Sequence, residues 1–269
     1  MVFVGSKGFV EYSVDGGTNW KAFGIGTRLA SIAVRNNIER IPVLGQRTAA
    51  ELVPLRYEGS WAIETNPISI TTLASDLGWE DDVTSPVKFQ LRAGILDGMI
   101  RTLSNAIVSR VGIAARQGEL VRMTIDGLFA QQTVGTDTTG VSFSESGTPA
   151  TFADGTVYDG GSTVGLVQSF DITINVNPNP IYAIGSRYFQ DAYLRMLEAE
   201  GRMTVVLQDT TWLEDIEDVS EHASLKLDLG SAGYVQLDLA KMNEISHAIE
   251  PNELVIADMT FIAKSVTFG

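Results

Sequence analysis

The sequence predicts a mainly β protein with a minor helical component, arranged as two similar units. Three observations carry this. Short runs alternate apolar and polar residues with period two, between frequent turns supplied by 26 Gly; that alternation is what a half-buried strand requires. Helical periodicity is confined to two short segments. An ordered series of residue matches recurs between the first and second halves of the chain. With 44% hydrophobic residues among 269, there is ample apolar material for a packed core.

Taken in order, Met1-Val2-Phe3-Val4-Gly5-Ser6-Lys7 has no basic region leading into an apolar one, so no signal peptide is expected and synthesis in a cytoplasm is. No apolar run reaches the ~18 residues of a membrane span. Ser13-Val14-Asp15-Gly16-Gly17-Thr18-Asn19-Trp20 matches the Asp-box pattern, in which the Asp bonds backbone N–H groups of a turn and the Trp packs beneath it. In sialidase-like propellers that box recurs with every blade. Here it occurs once, so a hairpin turn is expected and not a glycan hydrolase. Gly24-Ile25-Gly26 lacks the third glycine and following helix of a nucleotide fingerprint.

Asn36–Pro54 and Asn177–Met196 read as loops carrying apolar runs, Ile41-Pro42-Val43-Leu44 and Pro180-Ile181-Tyr182-Ala183-Ile184. A monomer gains little by exposing them, so they are expected to meet neighbouring copies; tucking into their own domain is the alternative. Ile70 to Trp79 and Thr211 to Val219 are the two helical candidates. Each adjoins an acidic cluster, Glu80-Asp81-Asp82 in one case and Glu214-Asp215 with Glu217-Asp218 in the other. These read as acidic helix ends facing solvent, since no Asp-x-Asp-x-Asp-Gly calcium loop is present. Val87 to Leu91 and Phe170 to Val176 alternate as strands, and Leu225–Leu229 and Val235–Leu239 read as a hairpin around Gly230 to Tyr234. Residues 132–163 contain no Lys or Arg and are dense in Gly, Ser and Thr, which predicts a linker or long loop. A strand near Val141 to Phe143 and a hairpin turn at Thr156 to Gly161 are the exceptions within it. The domain reading is therefore 1–131 with an N-terminal hairpin, then the 132–163 linker, then 164–269.

The repeat rests on an ordered series of matches, the first of which share one constant offset. Gly45-Gln46-Arg47 falls on Gly185-Ser186-Arg187, and Ala30, Ile32 and Val34 fall on Phe170, Ile172 and Ile174. Glu51 falls on Asp191 and Glu58 on Glu198 at the same offset. Slightly later in register, Gly59 to Ile63 falls on Gly201 to Val205; Glu119-Leu120-Val121 then matches Glu253-Leu254-Val255, and Met123-Thr124-Ile125 matches Met259-Thr260-Phe261. Repetition of this kind means that like surfaces pack on like surfaces.

This order of features resembles the major tail tube protein of long-tailed, siphovirus-like phages or archaeal tailed viruses: strand, polar segment with Gly-x-Arg, strand with Gly, short helix, and strands ending in a Leu-Val…Met-Thr type. The resemblance covers roughly 27–130 and 165–269. It implies two tandem tail-tube-type β-sandwich or barrel domains, each with a short flanking helix. It implies a structural virion protein, assembled in the host cytoplasm, in which three chains close a pseudo-hexameric ring. Stacked rings then make a hollow conduit. The partners implied are the chain itself, tail tip or baseplate and tail terminator proteins, with tape measure protein and DNA passing through the lumen without specific binding. A hub, distal-tail or completion ring of the same fold is the nearest alternative; a β-sandwich glycan-binding module is the alternative of another class. The assembly candidates are Ile41, Val43, Leu44, Arg47 and Glu51, with Ile181, Tyr182, Ile184, Arg187 and Asp191 at matching places. Arg47 and Arg187 are expected to form ion pairs between subunits or rings, with Glu51 and Asp191 as acceptors.

Composition restricts the function classes. The net charge of −14 opposes gripping DNA or anionic lipid, and suits a wall along which phosphate slides. There is no Cys and there are two His, His222 and His247, neither beside a nucleophile pattern, so no enzyme, metal or cofactor is expected.

Overall fold

The computed structural model describes residues 8–42, 49–80, 85–95, 99–136, 147–208, 211–248 and 254–269. In the first half, β1 (Gly8–Ser13) and β2 (Lys21–Ala22) form a hairpin. There follow β3 (Ile25–Pro42), β4 (Ala49–Asn66), helix α1 (Ile70–Leu77), β5 (Phe89–Ile95), β6 (Ile100–Arg116), β7 (Arg122–Phe129) and β8 (Gln131–Gly135). In the second half, β9 (Thr156–Asp159) and β10 (Ser162–Thr163) form a hairpin, then come β11 (Val167–Asn175), β12 (Pro178–Tyr182), β13 (Phe189–Leu194) and β14 (Glu198–Val206). Helix α2 (Thr211–Asp218), β15 (Glu221–Asp228), β16 (Tyr234–Ala248), β17 (Ile256–Ala263) and β18 (Ser265–Phe268) complete the chain. Among the described residues every strand pairing is antiparallel, and the fold is mainly β with two short helices.

The helices form where the apolar spacing changes from two to three and four. In α1, Ile70, Leu73, Ala74 and Leu77 share a face and are buried; the Ser69 hydroxyl accepts from the Thr72 amide, and Gly78 ends the helix with φ 69°. In α2 no residue is fully buried; Trp212 and Ile216 lean on the core while Glu214, Asp215, Glu217 and Asp218 sit on a mostly solvated helix.

One 16-stranded sheet runs β10-β9-β15-β16-β17-β14-β11-β6-β5-β1-β2, with β7, β4 and β3 branching from β6, β8 on β6 and β18 on β16. The order β2-β1-β5-β6-β7-β4-β3 in the first half is therefore the order β10-β9-β15-β16-β17-β14-β11 in the second. The registers correspond too. Ile32 lies opposite Trp61, and its counterpart Ile172 lies opposite Gly201, so both strands of the pair are carried forward by the same offset. A second, slightly shorter offset relates the later strands: Val111 lies opposite Ile125, and Ile245 opposite Met259. Both of these strand pairs bulge at the same place, Ser109 and Asn243. β8 and β18 share this second offset, with Arg101 opposite Val134 and Val235 opposite Phe268.

These pairings revise three sequence expectations. The offset from Ile32 to Ile172 persists through β4, so Gly201 corresponds to Trp61 and not to Gly59; Met259 corresponds to Ile125 and not to Met123. Asn36–Pro54 and Asn177–Met196, expected as loops, are strands wherever described apart from their turns: the distal parts of β3 and β4, and a separate ribbon of β12 and β13. Their prolines suggest loops, but each strand of a two-stranded ribbon has an outer edge that needs no ladder bond, and proline is tolerated there. Residues 132–163 carry the end of β8 and the whole β9–β10 hairpin; β9 pairs with β15, and Val157 is 5% exposed. Val141 to Phe143 lie outside the described residues.

The core runs continuously through both halves, from Tyr12, Trp61, Trp79 and Ile125 to Ile172, Met203, Leu237 and Phe261. Burying a large apolar side chain contributes about 1.5–3 kcal/mol, so this row of side chains is the main reason the strands stay paired.

Candidate assembly surfaces

Where the halves meet, β11 lies antiparallel to β6, with Ile172 opposite Ile113 and Ile174 opposite Val111. All four side chains are at most 1% exposed. Arg116 reaches Asp171 across the seam at 3.4 Å. β11 thus has β14 on one side and β6 on the other, whereas its counterpart β3 pairs with β4 alone among the described residues.

The β12–β13 ribbon extends past this seam and lies on the first half. Phe189 and Ala192 pack with Ile107 and Ala130, and the Tyr182 and Phe189 rings meet edge to face at 6.5 Å. The Tyr182 hydroxyl donates to the Tyr57 carbonyl at 3.2 Å, the Tyr57 amide donates to the Arg187 carbonyl at 2.9 Å, and the Arg56 guanidinium stands 4.8 Å from the Tyr182 ring centre. Arg187 Nη2 donates to Asn36 Oδ1 at 2.8 Å and its Nε to the Leu55 carbonyl at 3.3 Å. Lys88 Nζ stands 2.8 Å from Asp191, and its hydrogen bond holds that carboxyl below the usual carboxylate range. Burial pushes the Tyr57 and Tyr182 phenols up.

The expected site residues therefore divide. Tyr182, Arg187 and Asp191 are brought together, with partners in the first half of their own chain; Arg187 and Asp191 do not pair with each other. Ile181 and Ile184 project to solvent, 45% and 107% exposed. Ile41 is exposed and lies opposite Glu51 near the end of the β3–β4 hairpin. Val43, Leu44 and Arg47 lie outside the described residues. Sequence reasoning missed Ile38, Leu52 and Leu55, which are 56%, 59% and 47% exposed on the same hairpin. Their signal was present as apolar residues scattered through a stretch read as a loop.

The other motifs are structural. Asp15 accepts from the amides of Thr18 and Asn19 at 3.0 and 2.9 Å and from the Ser13 hydroxyl at 2.6 Å, with the Asn19 amide bond the main reason its carboxyl is held far below the usual range. Trp20 stacks under Arg92, 4.1 Å away, and Arg92 forms a buried ion pair with Glu11 at 2.7 Å. His222 is buried, stacked on Trp212, with Nδ1 3.0 Å from Asp159; that bond raises its pKa against the opposing effect of burial. His247 is exposed on β16. Among the described residues no three His, Asp or Glu cluster as metal ligands, and no helix is long and apolar enough to cross a membrane.

A search of curated proteins finds no match. The family model described as phage tail tube protein matches residues 18–267, nearly the whole of the chain. With its antiparallel β fold, this match leads to one conclusion: the chain belongs to the phage tail tube protein family, structural components of the virion tail.

Proposed function

We propose that this chain carries two tube units, residues 8–135 and 156–269, and that three chains close a ring of six like units. Rings stack into a hollow tube for passage of the genome. One observation carries this reading: strand order and register recur between the halves at two constant offsets, and the seam joining the halves uses one edge of each while the corresponding edges are unpaired among the described residues. Six units on a ring then require three chains.

In this reading the β3–β4 hairpin lies on the second half of a neighbour, as the β12–β13 ribbon lies on the first half of its own chain. Ile41, Val43, Leu44, Arg47 and Glu51 make that contact, with Arg47 in the role Arg187 has within the chain. Ile181 and Ile184, at the exposed end of the ribbon, meet the next ring. The lumen repels phosphate, so DNA and tape measure protein pass without specific binding, and the ends of the tube meet tip or baseplate and terminator proteins.

The test is negative-stain electron microscopy over a concentration series, with light-scattering mass. Hollow tubes with three chains per ring are expected. Deleting residues 38–52 should abolish them while leaving the β-rich circular dichroism spectrum. Closed rings that never elongate would replace the tube by a hub or completion ring, and tubes persisting in the deletion variant would remove this hairpin from assembly.

A further inference from the structure

The seam inside the chain specifies, residue by residue, the seam between chains. We infer that β3 of one copy pairs antiparallel with the free side of β16 in a second copy, with Arg35 opposite Glu244, Val34 opposite Ile245, Ala33 opposite Ser246 and Ile32 opposite His247. The inference rests on the ring reading above and adds its register.

The register follows from correspondence. Within the chain, Asn175 lies opposite Arg110, Ile174 opposite Val111, Thr173 opposite Gly112 and Ile172 opposite Ile113. Carrying β11 back onto β3 replaces these by Arg35, Val34, Ala33 and Ile32; carrying β6 forward onto β16 gives Glu244, Ile245, Ser246 and His247. Both offsets are fixed independently by pairings on the far sides of these strands, Ile172–Gly201 against Ile32–Trp61, and Val111–Ile125 against Ile245–Met259.

Three features point to a second copy at these edges. First, among the described residues β3 pairs with β4 alone, and residues 244–248 of β16 pair on the β17 side alone; β15 covers the other side only as far as Lys241. An exposed edge of this length is a template for another strand. Second, burial falls where the neighbour is missing. Ile174 is 0% exposed and its counterpart Val34 is 37%; Ile113 is 1% exposed and its counterpart His247 is exposed; Val111 is buried and its counterpart Ile245 is half-buried. Third, the transferred register sets Arg35 directly opposite Glu244, an attractive cross-strand pair in place of Asn175 and Arg110. A slip by one pleat in either direction would put Arg35 opposite uncharged Ser246 or Met242 and lose that pair.

The chain has no Cys, so paired cysteines report the register without background. The variants are Arg35→Cys with Glu244→Cys, Val34→Cys with Ile245→Cys, and the displaced control Arg35→Cys with Ser246→Cys. Each is assembled, mildly oxidised and run on denaturing gels. The expected result is covalent dimers and trimers in one or both in-register variants, at least ten-fold above the control. A separate pair of charge reversals, Arg35→Glu and Glu244→Arg, should each lower sedimentable assembly several-fold, with recovery when combined. Assemblies seen by microscopy with crosslinks equal to or below the control, and no recovery in the double reversal, would overturn the register and leave the ring reading standing. A wild-type chain that stays monomeric at all concentrations would overturn both.

Discussion

The pair formed by Trp61 and Gly127 on neighbouring strands is exchanged in the second half for Gly201 and Phe261. Large faces small in both, but the large residue has changed strand, which conserves volume in the core. A Cβ at Gly127 would lie 2.2 Å from the Ile107 carbonyl and 2.4 Å from the Trp61 ring. Gly127→Ala is therefore expected to destabilise the chain by about 1–3 kcal/mol, measured as a lowered denaturant midpoint. The same exchange explains why the repeat was legible only in outline: aligning glycine with glycine displaces the halves by one pleat, and only pairing restores the offset. His222 offers a second test. Its hydrogen bond to Asp159 raises its pKa above 6.5, so the folded state binds the proton more tightly than the unfolded one. That contribution is complete below about 6.5 and is lost as pH rises through the folded value. A nuclear magnetic resonance titration should find the raised midpoint, and the stability lost in His222→Gln should shrink with rising pH.

At the scale of elements, the two corresponding hairpins differ in what they touch. Phe189 is 3% exposed against the first half, so Phe189→Ala should cost about 3–5 kcal/mol in the monomer. Leu52, on the distal part of the β3–β4 hairpin, is 59% exposed; Leu52→Ser should change monomer stability by less than about 0.5 kcal/mol and lower assembly. Unfolding and sedimentation, measured side by side, separate the two effects. Sequence reading places both helices within two residues of their ends, because apolar spacing is a local signal. It expects Tyr182, Arg187 and Asp191 to meet neighbouring copies, whereas their described partners lie in the first half of their own chain. It misses the strand character of these hairpins, and sees β9–β10 only as a hairpin turn within a linker, because ladder bonds to distant segments leave no local trace, and Gly, Ser, Thr and Pro suit a turn as well as an edge.

For the whole molecule, charge and topology pull in different directions. At −14 per chain, subunits repel one another, while the edges proposed to join them would attract only at short range. Elongation followed by light scattering is therefore expected to speed up several-fold when salt rises from about 0.03 M to about 0.3 M, as screening shortens the repulsion to within a nanometre. A rate that falls with salt would show instead that charge pairs at the seam dominate.

The continuous sheet linking β11 to β6 has an arithmetical consequence. In the ring proposed above, two units travel together on one polypeptide, so any closed ring of such chains would hold an even number of them. A counting error then adds or removes two units at once, a third of a six-membered circumference. In that ring such an error would force a large change of curvature at every remaining joint, so miscounted rings are expected to be rejected at closure by bending alone.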